Sequence, residues 1–278
     1  MTETLSNKEH LLKYGYCVVR NLLDKKEVEK AKSVVNKVYE KNGKRTNTDV
    51  YNYNEYWEFF TNDSLLNIIR NFLGPEIFYL HTFSTKREYA KDIAYSWHRD
   101  NPCRQFGKGP DWDRNDPYNV LTCIIYLSSS DITGSGINLI PFSHKRTYTL
   151  SNILRVLHYK TRNISFLKNI RDMLPKFLGV NIKPNPGDCI IFLANLLHTA
   201  LPTRTLRKAM LFQYGINNKH SKNFVNYYLH HRKQIDYWTE NQENINEFFN
   251  FLKKKKIFYP IPKTKDEIKG VSIPQAKE

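Results

Sequence analysis

Ser96-Trp97-His98-Arg99-Asp100 sets a histidine and an aspartate two residues apart in a β-prone string. In a strand, residues i and i+2 point to the same face, so His98 and Asp100 can present an imidazole and a carboxylate to one ion. His-x-Asp by itself is a weak signal, since a chain of 278 residues produces such matches by chance. Its weight comes from the pattern around it. Short β-prone runs occupy residues 77–83, 120–127, 136–140, 189–193 and 209–215, each bounded by Gly, Pro, Asn or Asp. Several such strands behind a helical N-terminus predict a mainly β fold with flanking helices, a sandwich or jelly roll with helices on one sheet.

The second half of the chain offers a third ligand. Pro186-Gly187-Asp188 reads as a turn, residues 189–193 as a buried strand, and His198 as the residue at its far end. Nine residues later Arg207 opens the next strand. An antiparallel return brings Arg207 near His198, and a guanidinium is suited to gripping a carboxylate through paired hydrogen bonds. Two histidines and one carboxylate also leave coordination positions open, as the facial triad of non-haem iron enzymes does.

Further out the period is helical. Asp24 with Glu27 forms a capping-box pattern, and Val28, Ala31, Val34, Val35 and Val38 follow at helical spacing, which predicts a helix over residues 25–41. Residues 42–54 are polar and read as a loop. A further helix covers about residues 62–73 and stops at Gly74-Pro75. Residues 15–20 form a short β-prone run, and 146–180 read as a mostly helical insertion. Helices over 224–238 and 242–254 precede a Pro-rich, extended end. No linker divides the chain, so a single domain is expected over 1–278. It comprises N-terminal helices over 1–74, a β core over about 77–216 and a helical C-terminal extension over 221–278.

With 40% hydrophobic and 14% aromatic residues the chain can build a sizeable core, which excludes a disordered composition. No window approaches the roughly 20 apolar residues of a membrane span, and the first residues lack the order of a signal peptide. The cysteines Cys17, Cys103, Cys123 and Cys189 form no Cys-x-x-Cys pair. A cytoplasmic protein with reduced thiols is expected. The net charge of +16 is spread in singles and pairs except for four lysines at 253–256, which read as a solvated face. No helix-turn-helix, zinc-finger or aromatic-interleaved basic motif accompanies it, which speaks against a nucleic-acid partner.

The motifs, in order, resemble the phytanoyl-CoA dioxygenase family of iron(II)/2-oxoglutarate oxygenases over about residues 15–216. They are Gly15-Tyr16-Cys17-Val18-Val19-Arg20, Phe72-Leu73-Gly74-Pro75, Trp97-His98-Arg99-Asp100, Tyr126-Leu127, Gly136 through Pro141-Phe142-Ser143-His144-Lys145, Pro186-Gly187-Asp188, His198 and Arg207-Lys208-Ala209. The resemblance implies a double-stranded β-helix core of the jelly-roll, cupin-like kind. It implies Fe(II) on His98, Asp100 and His198, with the distal carboxylate of 2-oxoglutarate on Arg207, and Thr82 and Ile124 in the cosubstrate pocket by strand position. The implied reaction consumes O2, decarboxylates 2-oxoglutarate to succinate and hydroxylates a C–H bond. Two positions depart from the family pattern. Ala200 stands where a hydroxyl residue is frequent, so Thr199 or another group is expected to supply that hydrogen bond, and Phe142 stands where Gly is usual, a loop change expected to leave the metal undisturbed. An aspartate at position 100 argues against the halogenase branch, which leaves the carboxylate position empty.

His144 in the Pro-Phe-Ser-His-Lys turn is expected to hydrogen-bond structurally, His81 to be a satisfied core histidine, and His230 and His231 to be solvated. The loop over 101–119 mixes basic, aromatic and hinge residues, as a lid requires. Arg104 and Trp112 are the first candidates for substrate contact, with Lys86, Arg87 and Tyr89 next, pointing to a small and anionic substrate. Three other functions stay open: the same cofactors with desaturation, cyclisation or oxidative demethylation; a basic nucleic-acid-binding protein with a degenerate β-helix core; and a cupin-like zinc-binding protein. Periodicity does not decide whether the tail after residue 221 covers the site or forms a dimer interface.

Overall fold

Capping residues set the N-terminal architecture. Ser6 and Glu9 bond reciprocally at the start of α1 (Asn7–Tyr14), and Gly15 ends that helix in the left-handed region at φ 87. A side chain at Gly15 would collide with His144 Nδ1 at 2.4 Å, so glycine is required there for space as well as for φ. The strand β1 (Tyr16–Val19) follows. Asp24 and Glu27 repeat the reciprocal bonds, both at 2.8 Å, at the start of α2 (Lys25–Lys41). Asn62 caps the helix Asp63–Leu73, which ends at Gly74. The predicted helices over 25–41 and 62–73 are therefore present. The predicted loop over 42–54 holds two 3-10 turns, Val50–Asn52 and the start of Asn54–Tyr56, with Val50 and Tyr51 buried.

The computed structural model describes residues 5–41, 50–87, 97–100, 118–145, 153, 177–226 and 241–260. Besides β1, its strands are β2 (Ile77–Arg87), β3 (Leu121–Tyr126), β4 (Ile137–Leu139), β5 (Val180–Ile182), β6 (Cys189–Leu193), β7 (His198–Ala200), β8 (Arg207–Gly215) and β9 (Ile257–Phe258). They make a large sheet in the order β1-β6-β3-β8-β2-β9 and a small one in the order β5-β4-β7. All pairs are antiparallel except β2 with β9. The two sheets face each other across Tyr16, Tyr126, Ile137, Leu139, Ile182, Ile190, Phe192 and Leu196, the jelly-roll arrangement expected.

Three elements differ from the expectation. The sheet recruits β1 and β9 from outside the predicted core of 77–216, because an edge of the large sheet has unpaired backbone groups at both ends. The helical insertion expected over 146–180 ends in a strand instead, since Val180 opens β5, whose residues 181–182 lie beyond that expected insertion. His198 does not close the preceding strand: it opens β7, in the other sheet, after a turn at 194–197.

The other face of the large sheet is covered by helices. Cys17, Cys123, Ile125, Cys189, Ile191, Met210, Phe212 and Tyr214 pack there against Val28 and Val35 of α2, Leu65 and Ile69, and Phe248 and Leu252 of the helix Gln242–Lys254. Phe60 stacks on Tyr79 at 4.1 Å between centroids, and the Tyr214 hydroxyl donates to the Phe60 carbonyl. Each large side chain fully buried here contributes about 1.5–3 kcal/mol over an exposed one. At one end of the sheets Asp188, 1% exposed, accepts from the Arg20 guanidinium at 2.6 Å and from the backbone of Asn21 and Asn185 at 3.0 and 2.8 Å. That carboxylate ties the β1–α2 connection to the turn before β6. The second predicted tail helix lies at Gln242–Lys254, and Lys219–Asn226 covers the start of the first; residues 227–240 lie outside the described residues. No helix among the described residues is long and apolar enough to cross a membrane.

Candidate metal centre

Reciprocal backbone bonds bring the two histidines together. His98 and His198 form an antiparallel bridge in which each backbone N–H donates to the other's carbonyl at 3.0 Å. Residues opposite each other in such a pair share a face, so both imidazoles stand on one side with centroids 4.4 Å apart. His198 pairs with Leu139 on its other edge, so the His98 segment extends the small sheet by one position. It does so as a single bridge among the described residues, not as the strand the sequence suggested. Asp100 follows two residues on, its backbone N–H held by the Ala194 carbonyl at 2.9 Å. Ligand atoms of His98, Asp100 and His198 all lie within 4.8 Å of one another.

Each member is held by a second group. Asp100 Oδ1 lies 3.3 Å from His198 Nε2 and 3.8 Å from His98 Nε2, while Thr122 donates to Asp100 Oδ2 at 2.5 Å. His198 Nδ1 bonds the Leu196 carbonyl at 2.9 Å, which makes Nδ1 the donor and leaves Nε2 free to ligate. The Phe192 ring lies 4.6 Å from the His198 ring and limits its rotation. Between the ligands, Arg99 turns away and donates to the carbonyls of Asn195 at 2.7 Å and Ser143 at 3.2 Å. Burial alone would push the Asp100 carboxyl up, but the adjoining His198, His98 and the Thr122 hydroxyl outweigh it and hold it at about 2. The carboxylate is thus ionised, and the donor set is two imidazole nitrogens and one anionic oxygen. The His98 side chain is 44% exposed against 6% for His198, so the cluster opens on the His98 side. These donors fit a divalent iron with free positions.

Register decides which other expected residues face this cluster. On the inner face, Thr122 pairs with Gln213, Ile124 with Leu211 and Tyr126 with Ala209. Ile124 and Leu211 are the partly exposed residues on the inner face of the central strands, as residues lining an accessible hollow are. Arg207 lies on the same face as Ala209, 9% exposed, and its Nε is buried with no hydrogen-bond partner. An orphaned buried guanidinium nitrogen fits an anionic ligand that the chain alone does not provide. In β2 a bulge between Tyr79 and His81 shifts the pairing by one residue. Thr82 is therefore opposite Phe212 and Lys86 opposite Lys208, in the register of the helix-covered face, while Arg87 stands opposite Arg207. Thr199 pairs with Asn138 and takes the face opposite to His198, so it cannot replace the hydroxyl missing at Ala200. Tyr89, Arg104 and Trp112 lie outside the described residues. In the sequence Thr122 carries no assigned role and Tyr126 stands only as a motif residue, although hydroxyl side chains four residues apart in the apolar strand 120–127 are the signal that marks them.

The sequence profile of the phytanoyl-CoA dioxygenase family matches residues 11–210. No curated protein matches the chain by sequence. Among solved structures, the chain is similar to the non-heme alpha ketoglutarate dependent carbocyclase SnoK from nogalamycin biosynthesis, at 16% identity and TM-score 0.57, covering 77% of this chain and 85% of that one. It is similar to the epimerase SnoN in complex with Fe3+, alpha ketoglutarate and nogalamycin RO, at 12% identity and TM-score 0.56, covering 79% and 88%. It is also similar to EctD from S. alaskensis with bound Fe, at 16% identity and TM-score 0.55, covering 74% of each chain. At these identities the likeness is one of fold.

Proposed function

The chain belongs to the phytanoyl-CoA dioxygenase family, and from that premise we propose that it is a single-domain Fe(II)/2-oxoglutarate-dependent oxygenase that hydroxylates a C–H bond of a small molecule. The observation that carries this reading is the paired His98 and His198 with Asp100, three ligands on one side and an opening beside them. His98, Asp100 and His198 hold the iron, and Arg207 holds the distal carboxylate of 2-oxoglutarate. When bound, the iron and its cosubstrate supply the oxidising power, with O2 consumed and 2-oxoglutarate converted to succinate.

The protein's own residues do the positioning. Asp100 brings the one negative charge to the ligand set, and Thr122 keeps its second oxygen engaged so that Oδ1 faces the histidines. His198 is fixed in one tautomer by the Leu196 carbonyl. Ile124 and Leu211 give the hollow an apolar floor, which limits water near the reacting carbon. The basic and aromatic loop with Arg104 and Trp112, together with Tyr89, supports an anionic substrate; the +16 net charge favours anion approach in general.

The proposal is tested on protein purified without oxygen, given iron(II) and 2-oxoglutarate, beside His98→Ala and Arg207→Ala. A visible metal-to-cosubstrate charge-transfer band is expected in the wild type and absent in His98→Ala. An iron-free wild type without the band would sink the oxygenase reading. With the site established, substrate screening by succinate release and product mass separates hydroxylation from epimerisation or ring closure, the activities named for SnoN and SnoK.

A further inference from the structure

A guanidinium alone is an incomplete clamp for a carboxylate, and the position expected to hold a hydroxyl partner is Ala200. Ala200 pairs with Ile137 on the inner face, so the space for that partner faces the site but carries only a methyl group. Thr199 points the other way. The inner face of the large sheet holds a different hydroxyl. Tyr126 pairs with Ala209, and Arg207 is two residues along β8 on the same face, which makes Tyr126 and Arg207 diagonal neighbours. Tyr126 is 1% exposed and packs between the sheets with Ile137, Leu139, Ile190 and Phe192.

The chemistry of the pair is that of two donors awaiting an acceptor. Burial raises the Tyr126 hydroxyl to about 12, the Arg207 charge pulling it down and Cys189 adding to the rise, so the phenol keeps its proton at neutral pH. Arg207 has a buried Nε without a partner, and no carboxylate among the described residues pairs with it. Thr122, which marks the metal end through its bond to Asp100, stands four residues before Tyr126 on the same face, about 13 Å along the strand. A diacid with one end at the metal cluster directs its other carboxylate towards the Tyr126–Arg207 end.

We propose that Tyr126 is a cosubstrate-binding residue whose hydroxyl, with Arg207, holds the distal carboxylate of 2-oxoglutarate in place of the hydroxyl absent at Ala200. The proposal rests on the oxygenase reading above. Two donors of different direction select for a carboxylate at that place and against 2-oxo acids that lack it.

The test uses full-length protein loaded with iron(II) without oxygen, iron content checked by metal analysis. It is titrated with 2-oxoglutarate and with 2-oxobutyrate, which lacks the distal carboxylate, following the charge-transfer band. Tyr126→Phe is expected to weaken 2-oxoglutarate by about ten-fold or more, the loss of a hydrogen bond to a charged group, with iron and 2-oxobutyrate affinities unchanged. Ala200→Ser added to Tyr126→Phe is expected to recover part of the loss. Ala200→Ser alone serves if Tyr126→Phe fails to fold: with Tyr126 already on the carboxylate, the extra hydroxyl changes 2-oxoglutarate affinity by less than about two-fold. Unchanged 2-oxoglutarate binding in Tyr126→Phe, equal loss of both acids, or a strong tightening in Ala200→Ser would each overturn the role of Tyr126 while the wild-type band leaves the oxygenase reading standing. An iron-loaded wild type with no band for either acid would remove that reading and this proposal with it.

Discussion

Along β8, Met210, Phe212 and Tyr214 turn to the helices and are fully buried, whereas Arg207, Leu211 and Gln213 turn to the small sheet. The same strand thus serves two surfaces that differ in what they demand. The helix-covered face is a continuous apolar layer in which shape and area matter, and its residues stabilise through burial that neighbours share. The inner face holds hydroxyl, aliphatic, aromatic and charged groups whose polar atoms are placed individually: Thr122 donates to Asp100, His198 bonds the Leu196 carbonyl, and Arg207 has an open Nε. One face stores stability and the other spends little of it on holding donors in place.

The largest effects should separate the two faces. Phe212→Ala is expected to lose about 3–5 kcal/mol, read as a lower denaturant midpoint, while iron affinity of the folded fraction is retained. His198→Ala is expected to lose iron by more than the roughly 100-fold typical of a missing outer partner, with a smaller change in the midpoint. A Phe212→Ala protein that folds and binds iron much more weakly would show that the faces are coupled and break the comparison.

Thr122→Val probes the inner face without touching a ligand. It removes the bond to Asp100 Oδ2 and keeps the volume, so iron affinity should fall about 10–100-fold. Thr122→Ser should keep most of it. Equal affinity in wild type and Thr122→Val, measured by competition with a chelator, would mean that His198 and the backbone suffice to orient Asp100.

Much of this division was legible in the sequence, and the illegible part has one physical origin. His98-x-Asp100, His198 and Arg207 are recognisable because each stands at a position of the ordered motifs. The strand cores at 121–126 and 189–193 are recognisable because they are apolar and flanked by turns. Register is not local. The bulge between Tyr79 and His81 adds one residue to β2 and exchanges the faces of everything after it, so Thr82, which would otherwise sit opposite Leu211 in the row of Ile124, pairs with Phe212 instead. The same exchange separates Lys86 from Arg207. Likewise, β7 belongs to the small sheet because His198 pairs with Leu139, far away in sequence. That pairing set Thr199 against Asn138, on the face away from His198.

A milder effect comes from His144, which joins the two regions at the α1 end. Its ring lies against Gly15, with Nδ1 buried and unpaired. Burial lowers it to about 4; a backbone bond to Leu12 works the other way, and Lys145 adds to the lowering. The folded value is below that of the unfolded chain, so its contribution to stability is complete above about pH 6.5 and is lost as pH falls from there towards about 4. His144→Gln should flatten the stability profile in that window. An unchanged slope would assign the acid sensitivity elsewhere.

Phe142 gives the smallest effect and the finest distinction. It sits at φ 65, in the region that favours glycine, with its ring 5.2 Å from that of Tyr14. For a side chain this conformation costs about 1–2 kcal/mol, and the ring pair returns about 0.5–1.5 kcal/mol. Phe142→Gly removes both terms and adds about 0.5–1 kcal/mol of chain entropy, so its stability should stay within about 1 kcal/mol of the wild type. Phe142→Ala keeps the strain and loses the ring, and should fall below Phe142→Gly by about 1 kcal/mol. The order of the two denaturant midpoints tests this, and Ala above Gly would mean that the backbone there is not strained. Iron affinity in the same pair decides a second point. The next residue, Ser143, accepts from Arg99 through its carbonyl and from Leu197 N–H through its hydroxyl, on either side of the ligands. If iron affinity falls with stability in Phe142→Ala, the turn is part of the support of the metal cluster; if it stays constant, the site is held by the sheet alone.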